Sequence, residues 1–218
     1  MGQKVNPNSQ RLKINTKWKS RWFSDKNYAK ELIADVKLRR MLKVELKGAM
    51  VSDVYIDRDA NQVTVDIKAA RPGVIIGRGG EGSKKIKTLI EKETGAKAKV
   101  NIIEERKPDL NAENIAQNVA NQLEKRFPFR RAIKQAVERA EEAGVKGVKV
   151  LVSGRLNGAD IARSEKAEYG TIPLSHFNSV IDFAQQEALT TYGIIGIKVW
   201  VYTGKVSQDL ETEENKDK

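Results

Sequence analysis

The residues best suited to chemistry lie in a glycine-rich stretch near the middle of the chain. Between residues 77 and 82 four of six residues are glycine, and Lys84 and Lys85 follow. Glycine lets a backbone approach a ligand closely, and the helical pattern that begins after the loop offers free N–H groups at its start. The stretch therefore predicts a loop that holds phosphates.

One interpretation of this loop is a dinucleotide-binding site. Gly77, Gly79 and Gly82 spell G-x-G-x-x-G, and the acidic pair 104–105 follows at the usual distance of about 20 residues. That fingerprint requires a full buried strand directly before the first glycine. Here Pro72-Gly73 leaves room for only three residues, and the segment upstream has the pattern of a hairpin, so the sequence disfavours this interpretation.

A nucleotide P-loop is a second interpretation. Gly77 and Gly82 have its spacing, but Ser83-Lys84 follow in the reverse of the required order. A glycine turn between two packed helices with no ligand also remains possible. The order of the elements on both sides of the loop is a further observation.

Those elements favour a KH module. Ile75 to Gly80 resembles the G-x-x-G loop of that family, which clamps a nucleic-acid backbone, with Gly77 and Gly80 as its two glycines. The order helix, two strands, short helix, loop, helix, strand over 38–107 matches the type II KH arrangement. Ser83 departs from the pattern, because the family usually has an apolar residue there. The predicted RNA contacts of the loop are Gly77, Arg78, Gly79, Gly80, Lys84 and Lys85.

The periodicity predicts an α+β protein of two domains. A helix from Ser24-Asp25 to about Lys47 precedes a three-stranded sheet with strands 51–57, 62–68 and 98–103. After Pro108 two helices, ending near Phe127 and Ala143, precede four mainly antiparallel strands at 148–156, 166–172, 180–190 and 194–202. The predicted domains are a basic arm at 1–24, an N-terminal domain at 25–107, a C-terminal domain at 108–204 and a disordered polar tail at 205–218.

The charge balance predicts a polyanionic partner. The chain has 40 Lys and Arg against 29 Asp and Glu, a net charge of +11. Residues 1–47 contain 13 basic and 4 acidic residues, a net of +9. Cations beside aromatic rings suit irregular RNA, although tryptophans more often pack onto a core. The predicted RNA contacts of the arm are Lys4, Arg11, Lys17, Trp18, Lys19, Arg21 and Trp22.

A second basic cluster lies at the start of the second of the two helices predicted after Pro108. Arg130, Arg131 and Lys134 lie within one helical turn, close enough to share a side of the helix. Cations at a helix start oppose the helix dipole, so helix stability does not explain them. They indicate either an external anion or a solvated face.

Other kinds of site find little support. The chain has no cysteine, and its lone histidine, His176, cannot build a usual zinc site, so no metal and no cofactor is expected. Ser175 beside it has no evident orienting acid, and we predict no catalytic activity. No apolar run suits a membrane span, so a cytoplasmic protein without a membrane or small-molecule partner is expected.

Longer motifs then carry a resemblance to a known family. They are Met1 to Pro7, Ser20 to Phe23, Ala70 to Gly73, Phe129 to Ala132, Val152 to Arg163 and Thr191 to Trp200. In this order and spacing they resemble the bacterial ribosomal protein S-three family of the small subunit, over residues 1 to about 204.

The resemblance implies a structural protein in the head of the small ribosomal subunit that binds its rRNA. It also implies that the protein lines the path by which mRNA enters, with the small-subunit proteins ten and fourteen as neighbours. Arg130, Arg131 and Lys134 match the cluster associated with opening mRNA helices. The loop tip has Arg78-Gly79 where the family often has two lysines. A free-standing KH regulator of RNA and a nucleotide-dependent enzyme are the alternatives.

Overall fold

Two compact units make up the part of the chain that the computed structural model describes, residues 4–59 and 62–205. One unit spans 18–108. The other combines residues up to Lys17 with those from Asp109 onward. This division differs from the predicted one, because the first part of the expected arm belongs with the C-terminal unit. Apart from Lys205, the predicted disordered tail lies outside the described residues.

The first half of the chain contains four helices and four strands in its described part. In chain order they are α1 (Pro7–Gln10), β1 (Ser20–Arg21), α2 (Tyr28–Glu45), β2 (Val51–Arg58), β3 (Gln62–Ala69), α3 (Pro72–Ile76), α4 (Glu81–Thr94) and β4 (Lys97–Glu104).

The unit of residues 18–108 is built on a sheet of order β1-β2-β3-β4. β2 and β3 form the predicted antiparallel hairpin, and β4 pairs with β3 in parallel. The two-residue β1, which the sequence did not predict, adds a parallel edge beside β2. Alternate residues of β3, Val63, Val65 and Ile67, are buried as the period of a strand requires. They pack with apolar side chains of α2 and α4 in one core.

Helix α2 begins three residues later than predicted. Its N-cap is Asn27, whose backbone N–H donates to the Ser24 hydroxyl at 3.3 Å. Ser24 thus stabilises a turn before the helix instead of capping the helix itself.

The C-terminal unit places two helices on one face of an antiparallel sheet, as predicted. Its elements are α5 (Ala112–Glu124), α6 (Phe129–Glu142), β5 (Gly147–Gly154), β6 (Arg163–Gly170), β7 (Ser179–Thr190) and β8 (Gly193–Lys205). The sheet order is β6-β5-β8-β7, and each neighbouring pair is antiparallel. Val150 and Val199 face the helices and share a core with Ile115, Val119 and Ile133.

The N-terminal residues cover part of the other face of that sheet. Alternation along β8 turns Trp200 away from the helices, yet only 6% of it is exposed. The Lys4 ammonium lies 5.8 Å from the centre of its ring, and the Asn8 side chain donates to the Phe183 carbonyl at 3.1 Å. Residues 4–17 are therefore an integral layer of this unit.

Candidate nucleic-acid interface

The glycine loop links α3 to α4 through a sharp reversal of the chain. Gly77, Gly79 and Gly80 all have positive φ angles, of 67°, 62° and 79°. Side-chain-bearing residues rarely adopt this conformation, so the turn explains three of the four glycines. A Cβ added at Gly79 would meet no atom within 4 Å, so the tip of the loop is open to a ligand.

The fourth glycine has a different role. A Cβ at Gly82 would lie 2.3 Å from the Ile75 carbonyl oxygen and 3.0 Å from that of Ile76. Gly82 therefore lets the first turn of α4 approach the end of α3. Because α3 stands between β3 and Gly77, the buried strand that a dinucleotide fingerprint requires is absent from this position.

The cations of the loop are on its surface. Arg78, Lys84 and Lys85 are all exposed. Ser83, which departs from the family pattern, donates its hydroxyl hydrogen to the Gly80 carbonyl at 2.8 Å and so ties the first turn of α4 to the loop. Burial of the helix begins at Ile86, as expected. The arrangement offers a bare backbone turn flanked by positive charge.

The basic cluster of α6 is exposed at the start of that helix. Arg130, Arg131 and Lys134 are all exposed, and the first turn has neither a capping side chain nor an acidic residue. Arg130 has one internal anion, Glu165, at 3.6 Å. Among the described residues, Arg131 and Lys134 have no ion-pair partner. Two of the three cations are thus unpaired beside the positive end of a helix dipole.

Sequence reasoning missed a fourth cation beside this cluster. Arg163 is the first residue of β6, and its guanidinium lies 5.7 Å from the centre of the Phe129 ring on α6. Arg163 is 33 residues from Arg130 in the chain, and the two lie close together because β6 pairs with β5 and α6 packs against both strands. The motif of residues 152–163 contains no spacing pattern that relates Arg163 to Phe129.

One predicted RNA contact of the arm is wrong. Arg11 is completely buried. Its guanidinium donates to four backbone carbonyl groups, of Pro7, Leu174, His176 and Ser179, at 2.8–3.1 Å. Burial lowers the pKa of this guanidinium from its usual value. Arg11 fixes the N-terminal layer to the segment around the start of β7. Four of its five N–H donors have internal acceptors, and its complete burial keeps a phosphate from reaching it.

Trp22 also has an internal role. Its indole N–H donates to a carboxylate oxygen of the buried Asp35 at 2.8 Å. The same carboxylate accepts from the Ser20 hydroxyl at 2.9 Å and from Arg58 Nε at 2.8 Å. This favours the packing alternative for Trp22. Trp18 differs, since 52% of it is exposed.

The remaining predicted arm cations are on the surface. Arg21 makes a bidentate pair with Asp57 at 2.9 Å, and Lys19 pairs with Asp53. Lys4 and Lys17 are exposed. Surface pairs are worth at most about 1 kcal/mol, so an RNA phosphate can compete for these cations.

The described residues contain neither a candidate membrane span nor a candidate metal site. No described helix is long and apolar enough to cross a membrane. Within the same residues, no group of His, Asp and Glu side chains has the arrangement of a metal site.

Comparison with known proteins follows the division into two units. The family model described as "KH domain" matches residues 37–110, and the one described as "Ribosomal protein S3, C-terminal domain" matches residues 119–201. Among curated proteins, the chain is similar to small ribosomal subunit protein uS3 of Idiomarina loihiensis, with 49% identity over 98% of this chain and 95% of the relative. The protein of the same name from Enterococcus faecalis is 46% identical over 100% and 99%, and that of Bacillus cytotoxicus is 48% identical over 94% of each chain.

Proposed function

This chain belongs to the family of small ribosomal subunit protein uS3, and on that premise we propose that it binds the rRNA of the subunit head and guides mRNA where it enters. Membership assigns it a structural role in the small subunit, in association with rRNA and other ribosomal proteins. The contacts with mRNA and the residues that make them are the proposal.

The exposed cluster on α6 carries the proposal. Arg131 and Lys134 lack an internal anion within the described chain, and Arg130 has only a surface pair at 3.6 Å. Three cations beside a helix N-terminus repel one another and interact unfavourably with the helix dipole. An external polyanion offsets both effects. RNA supplies phosphates at regular spacing, and each one neutralised releases counterions.

The mechanism is positioning without sequence readout. Arginine and lysine side chains contact phosphate oxygens, which lie on the outside of any RNA strand whatever its sequence. When an mRNA helix meets this surface, the cations hold the backbone of the strand that enters. Capture of the separated strand favours the open form, so the cluster helps to unwind structured mRNA.

The glycine loop supports a second contact, with rRNA. Its tip is open at Gly79 and has exposed Arg78, Lys84 and Lys85 nearby. The family of KH modules uses such a turn to hold a sugar-phosphate backbone. With a single cation at the tip, we expect most of the contact here to come from backbone N–H groups and from the two lysines of α4.

The small-subunit proteins ten and fourteen are the proposed protein neighbours. Helix α2 has an exposed apolar row, Tyr28, Leu32, Ile33 and Val36, of which between 40% and 56% is accessible. Such a row on a charged chain suits a protein partner. A crosslink map of intact small subunits, with reactive groups at Ile33 and at the distant Val44, would identify the neighbour or show that RNA lies there instead.

Translation of structured mRNA tests the mRNA role. In reconstituted small subunits, Arg130, Arg131 and Lys134 changed together to Ala should slow translation through a stable hairpin and leave subunit assembly nearly intact. Arg139→Ala, which removes a cation from the last turn of the same helix, is the matched control. Equal slowing on unstructured mRNA, or an equal effect of the control, would contradict the proposed role.

Sedimentation tests the ribosomal placement separately. The protein should travel with small subunits in high-salt gradients. A chain found only in the free pool would instead favour a free-standing KH regulator.

A further inference from the structure

Two arginines, not one, lie against the buried ring of Phe129. The guanidinium carbons of Arg130 and Arg163 are each 5.7 Å from the ring centre, while only 3% of Phe129 is exposed. Arginine stacks well on aromatic faces, and an arginine so held loses less side-chain freedom when it binds an anion. The ring therefore presents two guanidinium groups at the surface.

The strand register places Arg163 on the same side of the sheet as α6. On β6, Arg163 and Glu165 pair with Gly154 and Val152 of β5. Val152 belongs to the core beneath the helices, and residues two apart on a strand share a face. Arg163 and Glu165 thus lie beside Arg130, whose guanidinium is 3.6 Å from the Glu165 carboxylate.

Arg163 has no carboxylate of its own in the described part of the chain. Arg163 is exposed, and its guanidinium contacts the aromatic ring of Phe129. β6 is the outer strand of the sheet, so nothing in that sheet covers it on its open side. An exposed guanidinium fixed by stacking and left without an anion suits an external phosphate.

We propose that Arg163 contacts RNA as a fourth cation of the α6 surface, which is otherwise formed by Arg130, Arg131 and Lys134. In the absence of RNA, Glu165 pairs with Arg130, and an RNA phosphate takes the place of the Glu165 carboxylate on binding. The inference rests on the proposed function, since it extends the same surface from the helix to the outer strand. Four cations against one carboxylate leave a local charge of about +3. RNA binding then exchanges the Glu165–Arg130 pair for phosphate pairs at both arginines.

The test measures binding of the full-length chain to a fluorescein-labelled single-stranded RNA by anisotropy over a range of KCl concentrations. Arg163→Gln keeps an aliphatic stem over Phe129 and removes the charge. It should weaken binding about three- to tenfold and reduce the salt slope by about 0.7, the value for one phosphate contact on a single strand. Glu165→Gln should tighten binding about two- to fivefold, as expected when a surface pair no longer competes.

Lys198→Ala is the matched control. Lys198 is exposed on β8, and alternation puts it on the sheet face away from α6, with Trp200. Lys198→Ala removes one positive charge, as Arg163→Gln does, but from the sheet face away from α6. RNA binding should therefore change less than twofold. If Lys198→Ala weakens binding as much as Arg163→Gln does, net charge alone acts and the inference fails.

The remaining outcomes separate this inference from the proposed function. If the triple α6 variant weakens binding and Arg163→Gln does not, the α6 surface stands and Arg163 is not part of it. If neither does, the proposed RNA contact of α6 fails as well. If Arg163→Gln lowers the melting temperature and leaves the salt slope unchanged, Arg163 is structural. If Glu165→Gln fails to tighten binding, the exchange with Arg130 is wrong.

Discussion

Replacing Gly82 by alanine should destabilise the unit of residues 18–108 more than the same change at Gly79. The new Cβ at Gly82 would be 2.3 Å from the Ile75 carbonyl oxygen, more than 1 Å inside an ordinary contact. Backbone cannot turn aside as a side chain does, so α4 must move away from α3. That movement also displaces Ile86 and Ile90, which are buried on α4. Overpacking of this kind costs about 2–3 kcal/mol.

At Gly79 only the backbone conformation is at stake. The added Cβ meets no atom within 4 Å, but φ is +62°. An alanine held in this left-handed region costs about 1–2 kcal/mol, of which about 0.4–1 kcal/mol is offset because alanine also restricts the unfolded chain. The same offset applies at Gly82 and cancels in the comparison, so the two variants should differ by about 1 kcal/mol.

Hydrogen exchange during urea unfolding measures the difference. Peptides from 72–94 report on α3 and α4 alone, which matters because a chain of two units need not unfold in one step. Equal losses of protection in the Gly79 and Gly82 variants would refute the role assigned to Gly82. Gly79→Asp adds the complementary expectation: RNA binding should fall while the protection of 72–94 stays within about 1 kcal/mol of the wild type. A fall in melting point of many degrees would contradict it.

Three further predictions concern groups inside the two units. Arg11→Met should destabilise the C-terminal unit by about 3 kcal/mol or more, because several carbonyl acceptors lose a charged donor, and a calorimetric loss under 1 kcal/mol would contradict this. Asp35→Ala should cost about 3–5 kcal/mol and shift the fluorescence of Trp22 to the red, since its indole loses an acceptor; an unshifted spectrum would count against it. The pKa of Glu168 lies below its usual 4.5 because Lys166 and Lys149 donate hydrogen bonds to it, so this stabilisation is lost as pH falls through that lowered pKa. An NMR titration should show the low midpoint, and Lys166→Ala should raise it.

Patterns that repeat along the chain were predictable. The hairpin of β2 and β3 follows from alternation at Val63, Val65 and Ile67, whose burial is decided by a period of two. The loop glycines followed from turn chemistry, although sequence alone could not separate Gly82, which permits close helix packing, from Gly79, which shapes the turn.

Contacts between distant residues were not predictable. Arg11 has the sequence environment of a surface cation, and its burial depends on carbonyl groups more than 160 residues away. The position of Arg163 against Phe129 likewise requires the register of β5 and β6. The cluster on α6 was identifiable because its three members lie within one helical turn.

The division of the chain also constrains the order in which the protein can form during its synthesis. Residues 18–108 are continuous, so this unit has all its residues as soon as they leave the exit tunnel. Residues 4–17 emerge earlier, but β7, whose carbonyl groups accept hydrogen bonds from Asn8 and Arg11, is made about 170 residues later. Residues 4–17 can therefore dock only after β7 has been translated, whereas the unit of residues 18–108 does not have to wait for it.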